Sequence, residues 1–156
     1  MLERVFTVEF RLMKTTLANF CDLLTRLTVG FMFANSGWGK IANLESFVNE
    51  FAEWGIPAPS VTAPAAAWAE LIAGALLMIG LATRLAALAM AAVMAGALFI
   101  VVAPPIVEEA STLTGVGSNL FYAPEWLLLL IFITLAATGA GTWSVDRILN
   151  GRKRKS

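Results

Sequence analysis

The chain has 156 residues, of which 58% are hydrophobic and only 14% are charged, and its formal net charge is zero. A soluble domain is usually about 45–50% apolar, so this composition excludes an ordinary soluble domain and predicts a protein whose solvent is lipid. Histidine is absent and Cys21 is the single cysteine, which excludes histidine-ligated haem or metal and an internal disulfide. No metal site is expected.

Residues 1–21 mix charged and apolar side chains and lack the continuous apolar core of a signal peptide. Apolar side chains recur there at the spacing of one helix face: Phe6, Phe10, Met13 and Leu17. This stripe predicts an amphipathic helix lying among the lipid headgroups. A solvated or partner-bound tail is the alternative interpretation.

Four apolar stretches follow, each close to the roughly 20 residues that a helix needs to cross the hydrocarbon core. They cover about 23–42, 65–83, 85–103 and 123–143. The sequence therefore predicts an all-α fold, an integral membrane four-helix bundle over residues 22–147 with a basic tail at 148–156. Prolines are expected to mark the ends of the spans. These are Pro57, Pro59, Pro64, Pro104, Pro105 and Pro124.

The two long connections differ in pattern from the spans. In the first, apolar residues again fall on one helix face: Leu44, Phe47, Val48 and Phe51. This pattern predicts a short helix that lies on the surface or caps the bundle. The second connection, about 105–122, is expected to be a loop.

The basic residues indicate the orientation. Lysine and arginine cluster before span one, in the turn at Arg84 and after span four, whereas the long connections carry mainly glutamate. The positive-inside rule then places both termini in the cytoplasm and both long connections outside. Tryptophans fall near the outer interface in the same topology: Trp38, Trp54, Trp68 and Trp126. The basic tail is expected to contact anionic lipid, and no nucleic-acid partner is expected.

A weak internal repeat divides the bundle into two halves. Thr25-Arg26-Leu27 opens span one and Thr83-Arg84-Leu85 opens span three, while Glu70 and Glu125 occur early in the returning spans. The pattern predicts two parallel hairpin repeats about an axis along the membrane normal, with coincidence as the alternative.

A polar cluster is expected in the outer half of the bundle, because a carboxylate inside a span is costly unless it is paired or hydrated. Glu70 lies inside span two, and Asn35 and Ser36 of span one lie at the same depth. The cluster chosen from the sequence is Asn35, Lys40, Glu70, Tyr122 and Glu125, with Trp68 beside it. A Lys40–Glu70 ion pair that only fixes helix register is the alternative interpretation.

Arg26 is the main charged residue at the inner end. It shares a helix face with Gly30, Ala34 and Gly37, and such small residues let a neighbouring helix approach closely. Asp22 and Asp146 are the available counter-charges. Arg26, Arg84 and Asp146 are therefore predicted to be structural or to bind lipid headgroups.

Several motifs occur in an order that resembles the DoxX family, over residues 22–147. They are Arg26, Gly30 and Phe33, then Gly37-x-x-Lys40, Phe47 and Phe51, Gly55-x-Pro57, Glu70 with Gly74, Gly80-Leu81-x-Thr83-Arg84, and Gly139-x-Gly141-x-Trp143-Ser144-x-Asp146. The resemblance implies a small multi-pass protein of the bacterial inner membrane. It also implies association with quinone-linked oxidoreductases, such as the small subunit of thiosulfate:quinone oxidoreductase.

Two functional hypotheses follow. In the first, the protein is a membrane subunit of an oxidoreductase with a quinone pocket, where Glu70, Tyr122 or Glu125 handles a proton and Asn35, Lys40 and Trp68 bind the ring. It would hold no intrinsic cofactor and would need a partner to supply electrons. In the second, it is a non-catalytic anchor, assembly factor or small-molecule transport module for a partner protein. A protein partner or a homo-oligomer is expected in either case.

Overall fold

A computed structural model describes the backbone of residues 2–110 and 112–153 and the side chains of residues 15–110 and 112–149. Within these residues the chain is helical and contains no strand, which confirms the predicted all-α fold. Three helical stretches are long and apolar enough to cross a membrane: Thr15–Ala42, Pro59–Ile79 and Thr83–Glu109. A fourth candidate is the pair Leu113–Tyr122 and Pro124–Thr138, whose axes differ by 63°.

Helix α1 runs from Leu2 to Ala42 without a break, so the N-terminal segment and the first candidate span form one continuous helix. The amphipathic stripe predicted at Phe6, Phe10 and Met13 lies outside the described side chains. Leu17, its last member, is exposed.

Helix α2, Leu44–Glu53, is the short helix that the sequence predicts in the first long connection. Its Phe47 and Phe51 rings meet edge to face at 4.6 Å and are buried against Ala63 and Ala67 of the next helix. Because both rings are buried, α2 packs on the end of the helical bundle and is not a free surface helix. This end is called the α2 end below.

Helix α3, Pro59–Ile79, begins six residues before the expected start of span two and contains Pro64 in its interior. The expectation that Pro64 ends a span is therefore wrong. Pro59 occupies the first helical turn, where its missing N–H costs nothing. Pro64 lies only one turn further in, so it deprives just the Ser60 carbonyl of its intrahelical partner close to the helix start.

Helix α4, Thr83–Gly96, continues through a π-helical segment, Ala97–Val102, into α5, Ala103–Glu109. Pro104 and Pro105 thus lie within the helical stretch, and the expectation that they end span three is wrong. A proline ring clashes with the carbonyl four residues earlier in an α-helix. The wider π-helical turn directly ahead of Pro104 is the local distortion that accommodates it.

Helix α6, Leu113–Tyr122, lies where a loop is expected, and α7, Pro124–Thr138, follows it. The helix expected at 123–143 ends at Thr138, because Gly139 takes a positive φ of 77°. Its 15 residues span only about 22 Å, less than the roughly 30 Å hydrocarbon core. The chain bends at Ala123, which is extended because the next residue is Pro124. Helix α8, Val145–Lys153, ends the described chain.

The helices pack mainly as two pairs, α1 with α3 and α4 with α7, and α3 joins the pairs through α4. One apolar core is shared by all four: Val29, Phe33, Ala73, Leu77, Ala86, Ala87, Met90, Ala91, Met94, Phe132 and Leu135. The predicted small-residue face of α1 does face inward. A Cβ at Gly30 would lie 2.7 Å from the carbonyl oxygen of Gly74, so the α1 and α3 backbones touch.

Candidate functional site

Glu70 is buried in α3 with an exposed fraction of 2%, and both of its carboxylate oxygens are engaged by α1. The Lys40 ammonium donates to Oε1 at 2.5 Å, and the Ser36 hydroxyl donates to Oε2 at 3.0 Å. Ser36 and Lys40 are one helical turn apart, so both point to the same side of α1. Gly37 between them lets the α3 backbone come close, since a Cβ there would meet the Leu71 amide nitrogen at 2.5 Å.

Lys40 is the less buried partner of this pair. Its side chain is 30% exposed, and its ammonium also lies 4.9 Å from the centre of the Phe47 ring, within cation–π range. The α2 cap therefore contributes to holding the ammonium beside Glu70. The α2 end of the bundle thus brings a buried carboxylate, an ammonium and a hydroxyl together.

A cavity of about 550 Å³ opens beside this cluster, within the usual range for small-molecule pockets. Its wall is mostly apolar and comes from several elements: Phe33 of α1, Phe47 and Phe51 of α2, Trp54, Met94 of α4, the π-helical segment and Leu128 of α7. Glu70 and Lys40 contribute an ion pair to this wall. The distorted π turn thus shapes one wall of the cavity, as π bulges often do at functional sites.

The cavity wall also carries Glu50 and Glu125, so three carboxylates stand against one ammonium. Neither Glu50 nor Glu125 has an ion-pair partner among the side chains that the structure describes. This charge distribution opposes an anionic ligand and suits a neutral one with polar groups on an apolar body. The described part of the chain brings together no group of three side chains of the types that hold a metal ion.

The structure places three predicted site residues away from this cavity. Asn35 is exposed, Trp68 is exposed on α3, and Tyr122 at the end of α6 is 85% exposed; none of them lines the cavity. Asn35 is next to Ser36 in sequence, and consecutive helical residues point about 100° apart. Their role in binding stays a prediction without support from the cavity geometry.

Sequence reasoning missed Ser36, Glu50 and the aromatic wall as site residues. The four-residue spacing between Ser36 and Lys40 is the signal that could have selected Ser36 over Asn35. No comparable signal places Trp54 or the π-helical segment beside Glu70, because both depend on how α2 and α4 pack.

Arg26 lies at the opposite end of the bundle, called the α8 end, and is completely buried. Its guanidinium donates to Asp22 Oδ2 at 2.9 Å, to the Leu77 carbonyl at 3.3 Å and to the Trp143 carbonyl at 2.7 Å. It therefore ties α1 to the end of α3 and to the chain before α8. These bonds satisfy the charge within the protein.

Asp146, the other expected counter-charge, does not pair with Arg26. Its carboxylate accepts from the backbone N–H groups of Ala82 at 2.8 Å and Thr83 at 3.0 Å, and so caps the start of α4. Its own N–H donates to the Gly80 carbonyl at 2.9 Å. Asp146 thus holds α8 against the α3–α4 turn. Arg84 is exposed in the same turn.

Comparisons with known proteins add a family and a relative. The DoxX family profile matches residues 21–103 of the chain. The chain is 32% identical over 133 residues to a Bacillus subtilis (strain 168) protein named "Putative oxidoreductase CatD", covering 84% of this chain and 89% of that protein. No solved structure matches it significantly. Together with the three or four candidate spans, these matches identify a multi-pass membrane protein.

Proposed function

Because the chain belongs to the DoxX family, we propose that it is the membrane subunit of a quinone-linked oxidoreductase system, with the quinone bound beside Glu70. The oxidoreductase name of the Bacillus subtilis relative supports this class of activity. The single observation that carries the proposal is a buried carboxylate, paired with Lys40, in the wall of an apolar cavity.

A quinone fits the chemistry of that wall. Its ring is flat, neutral and apolar, with carbonyl oxygens that accept hydrogen bonds, and the cavity offers aromatic walls and the Lys40 ammonium as a donor. Reduction of a quinone to a quinol takes up two electrons and two protons. In this proposal Glu70 and Glu125 exchange the protons with the bound ring, and a partner protein or a reductant supplies the electrons.

The proposed topology is a four-helix bundle of two parallel hairpins, α1 with α3 and α4 with α6–α7, in the bacterial inner membrane. The pairwise packing of the helices and the basic residues near the α8 end support it. Both termini then face the cytoplasm and the cavity lies toward the periplasm. After removal of Cys21, cysteines at Ser46 and Ser111 should react with an impermeant maleimide in spheroplasts. Labelling at Ser156 alone would invert the topology.

Quinone binding can be measured directly. Solvent extraction of purified protein should yield a quinone by ultraviolet absorbance, and a short-chain quinone should quench tryptophan fluorescence to saturation. Trp54 lines the cavity, whereas Trp143 lies at the α8 end. Trp54→Phe should therefore remove most of the saturable quenching and Trp143→Phe should leave it. Equal quenching in both variants would show that the quinone partitions into detergent without a site.

A pair of glycine variants separates the cavity from the fold. A Cβ at Gly96 or at Gly39 would meet nothing within 4 Å, but only Gly96 lines the cavity. Gly96→Leu should abolish quinone binding with little change in melting temperature, and Gly39→Leu should leave binding intact. Normal quinone binding by a folded Gly96→Leu protein would place the ligand elsewhere.

A non-catalytic anchor, assembly factor or small-molecule transport module is the second candidate function. Helix α6 favours it, because Leu113, Phe121 and Tyr122 are strongly exposed apolar or aromatic side chains that a partner could cover. Purification from native membranes followed by mass spectrometry distinguishes the two functions. A co-purifying partner together with a quinone-free extract would support the second function and oppose the first.

A further inference from the structure

A second cavity, of about 730 Å³, lies at the α8 end and is chemically unlike the first. It is bounded by the α3–α4 turn, the C-terminal end of α7 and the start of α8. Arg84, Arg147 and Asn19 give it polar walls, and Leu85 gives it an apolar edge. The proposed quinone site does not involve any of these residues.

The two arginines of this cavity carry charge that no described side chain neutralises. Neither Arg84 nor Arg147 has a carboxylate within ion-pair distance among the described residues. Asp146 is the acidic residue in the wall, but both of its oxygens accept backbone N–H groups at the start of α4. Its negative charge is therefore already offset by the positive end of that helix.

The wall of the cavity leaves room for the Arg84 side chain. The Arg84 side chain lies against Gly139, where an added Cβ would be 3.1 Å from Nε, so the glycine leaves room for it.

We propose that this cavity binds the phosphate of an anionic phospholipid headgroup, with Arg84 and Arg147 as the guanidinium donors. Phosphate oxygens are the acceptors that guanidinium groups match best. The apolar edge favours a lipid over free phosphate. Leu85 is 69% exposed and Ile148, next to Arg147, is exposed as well, so both can contact acyl chains.

Binding can be tested on delipidated full-length protein in neutral detergent. Phosphatidylglycerol and phosphatidylcholine with identical acyl chains would be compared by native mass spectrometry and by the melting temperature. We expect retention of phosphatidylglycerol and a higher melting temperature with it, at an affinity about tenfold above that for phosphatidylcholine. Equal binding of the two lipids would overturn the proposal. Displacement of phosphatidylglycerol by millimolar inorganic phosphate would assign the site to free phosphate and overturn the lipid assignment.

Charge-matched variants distinguish a built site from diffuse attraction. Arg84→Gln with Arg147→Gln removes two charges from the cavity, and Arg152→Gln with Arg154→Gln removes two from the basic tail. The first pair should weaken phosphatidylglycerol binding about tenfold or more, and the second pair should change it little. An equal loss in both would overturn the proposal.

A single variant covers the case in which the first pair does not fold. Arg147→Gln alone should still weaken phosphatidylglycerol binding several-fold, and it should fold because the Arg147 side chain is exposed and makes no ion pair among the described residues. Unchanged binding by this variant would contradict the site.

Discussion

The two ends of the bundle each bury one charged side chain, but they do so in opposite ways. Arg26 at the α8 end has an exposed fraction of zero and donates to one carboxylate and two carbonyls inside the chain. Glu70 at the α2 end is bonded to Lys40 and Ser36, yet the same wall opens into a cavity of about 550 Å³. At the α8 end the protein itself occupies the donors of the buried charge, whereas at the α2 end there is room for a ligand beside it.

This difference teaches that burial of a charge does not by itself indicate a functional site. Both groups are costly to bury, and both are paired in the structure. What distinguishes Glu70 is the open apolar space beside it and a partner, Lys40, that stays part exposed. On this comparison Arg26 is structural, whereas Glu70 is free to take part in binding.

The largest effect is expected at Arg26. Arg26→Met removes the guanidinium donors to Asp22, Leu77 and Trp143 and leaves the Asp22 carboxylate without its ion-pair partner. The free energy of unfolding should fall by about 3–5 kcal/mol. Denaturant or thermal unfolding in detergent would measure it. Arg84→Met in delipidated protein is the control, because Arg84 is exposed, and it should cost under about 1 kcal/mol. Equal stability of the two variants would contradict the structural role of Arg26.

The next effect concerns the close contact of α1 with α3 beside Glu70. A Cβ at Gly37 would lie 2.7 Å from the Ala67 carbonyl oxygen, so Gly37→Ala must push the helices apart. We expect a loss of about 1–3 kcal/mol in the free energy of unfolding and weaker quinone binding.

Gly39→Ala is the matched control two residues further along the same helix. Nothing lies within 4 Å of its added Cβ, so the variant should gain about 0.5–1 kcal/mol from helix propensity. A Gly37→Ala protein that is as stable as Gly39→Ala would show that the two helices do not touch there.

Gly80 and Gly55 provide a smaller and more specific test of the α8 end. Both have positive φ, at 68° and 70°, so alanine should cost each about 1–2 kcal/mol of backbone strain. Only at Gly80 would the new Cβ also collide with the Arg26 guanidinium and with Ser144. The free energy of unfolding of Gly80→Ala should therefore be about 1 kcal/mol lower than that of Gly55→Ala. Equal melting temperatures would mean that the space around Arg26 is not closed.

The smallest stability effect is expected at the α2 end. Glu70→Gln should cost about 1 kcal/mol or less, because Lys40 is 30% exposed and can turn toward water or headgroups. Lys40→Met combined with Glu70→Gln should recover that loss in a double-mutant cycle. If Glu70 exchanges protons with the ligand, quinone binding to Glu70→Gln should also lose its pH dependence. An unchanged pH dependence in this stable variant would exclude Glu70 from the mechanism.

In the predicted repeat, two similar tripeptides place their arginines in different environments. Thr25-Arg26-Leu27 and Thr83-Arg84-Leu85 are equivalent tripeptides, yet Arg26 is buried and Arg84 is exposed. Arg26 lies in the interior of the long helix α1, which packs on α3, whereas Arg84 lies in the first turn of α4. The tripeptide therefore does not by itself predict what either arginine does.

Much of the fold could be predicted from the sequence. Composition predicted a helical protein in lipid, the stripe around Phe47 and Phe51 predicted α2, and the ordered motifs predicted the DoxX family that the profile match confirms. These predictions succeed because they depend on local periodicity and on the length of apolar runs.

The sequence did not predict the ends and breaks of the helices. Pro64, Pro104 and Pro105 were expected to end spans and instead lie inside helical stretches, and residues 113–122 form a helix in place of a loop. Proline destabilises a helix locally, but neighbouring contacts and a π-helical turn can offset this loss of stability. That balance is set by packing, which a linear pattern does not contain.

The sequence by itself determined which polar residues are expected at similar heights along neighbouring helices, because a helix rises by a constant distance per residue. It predicted Asn35, Ser36 and Glu70 at one level, with Lys40 one turn nearer the outer surface. Only the tertiary structure decided that Ser36 and not Asn35 meets Glu70, and that a cavity opens there. Rotation about a helix axis is set by where two backbones can touch, here at Gly37, and that contact exists only once the helices have packed.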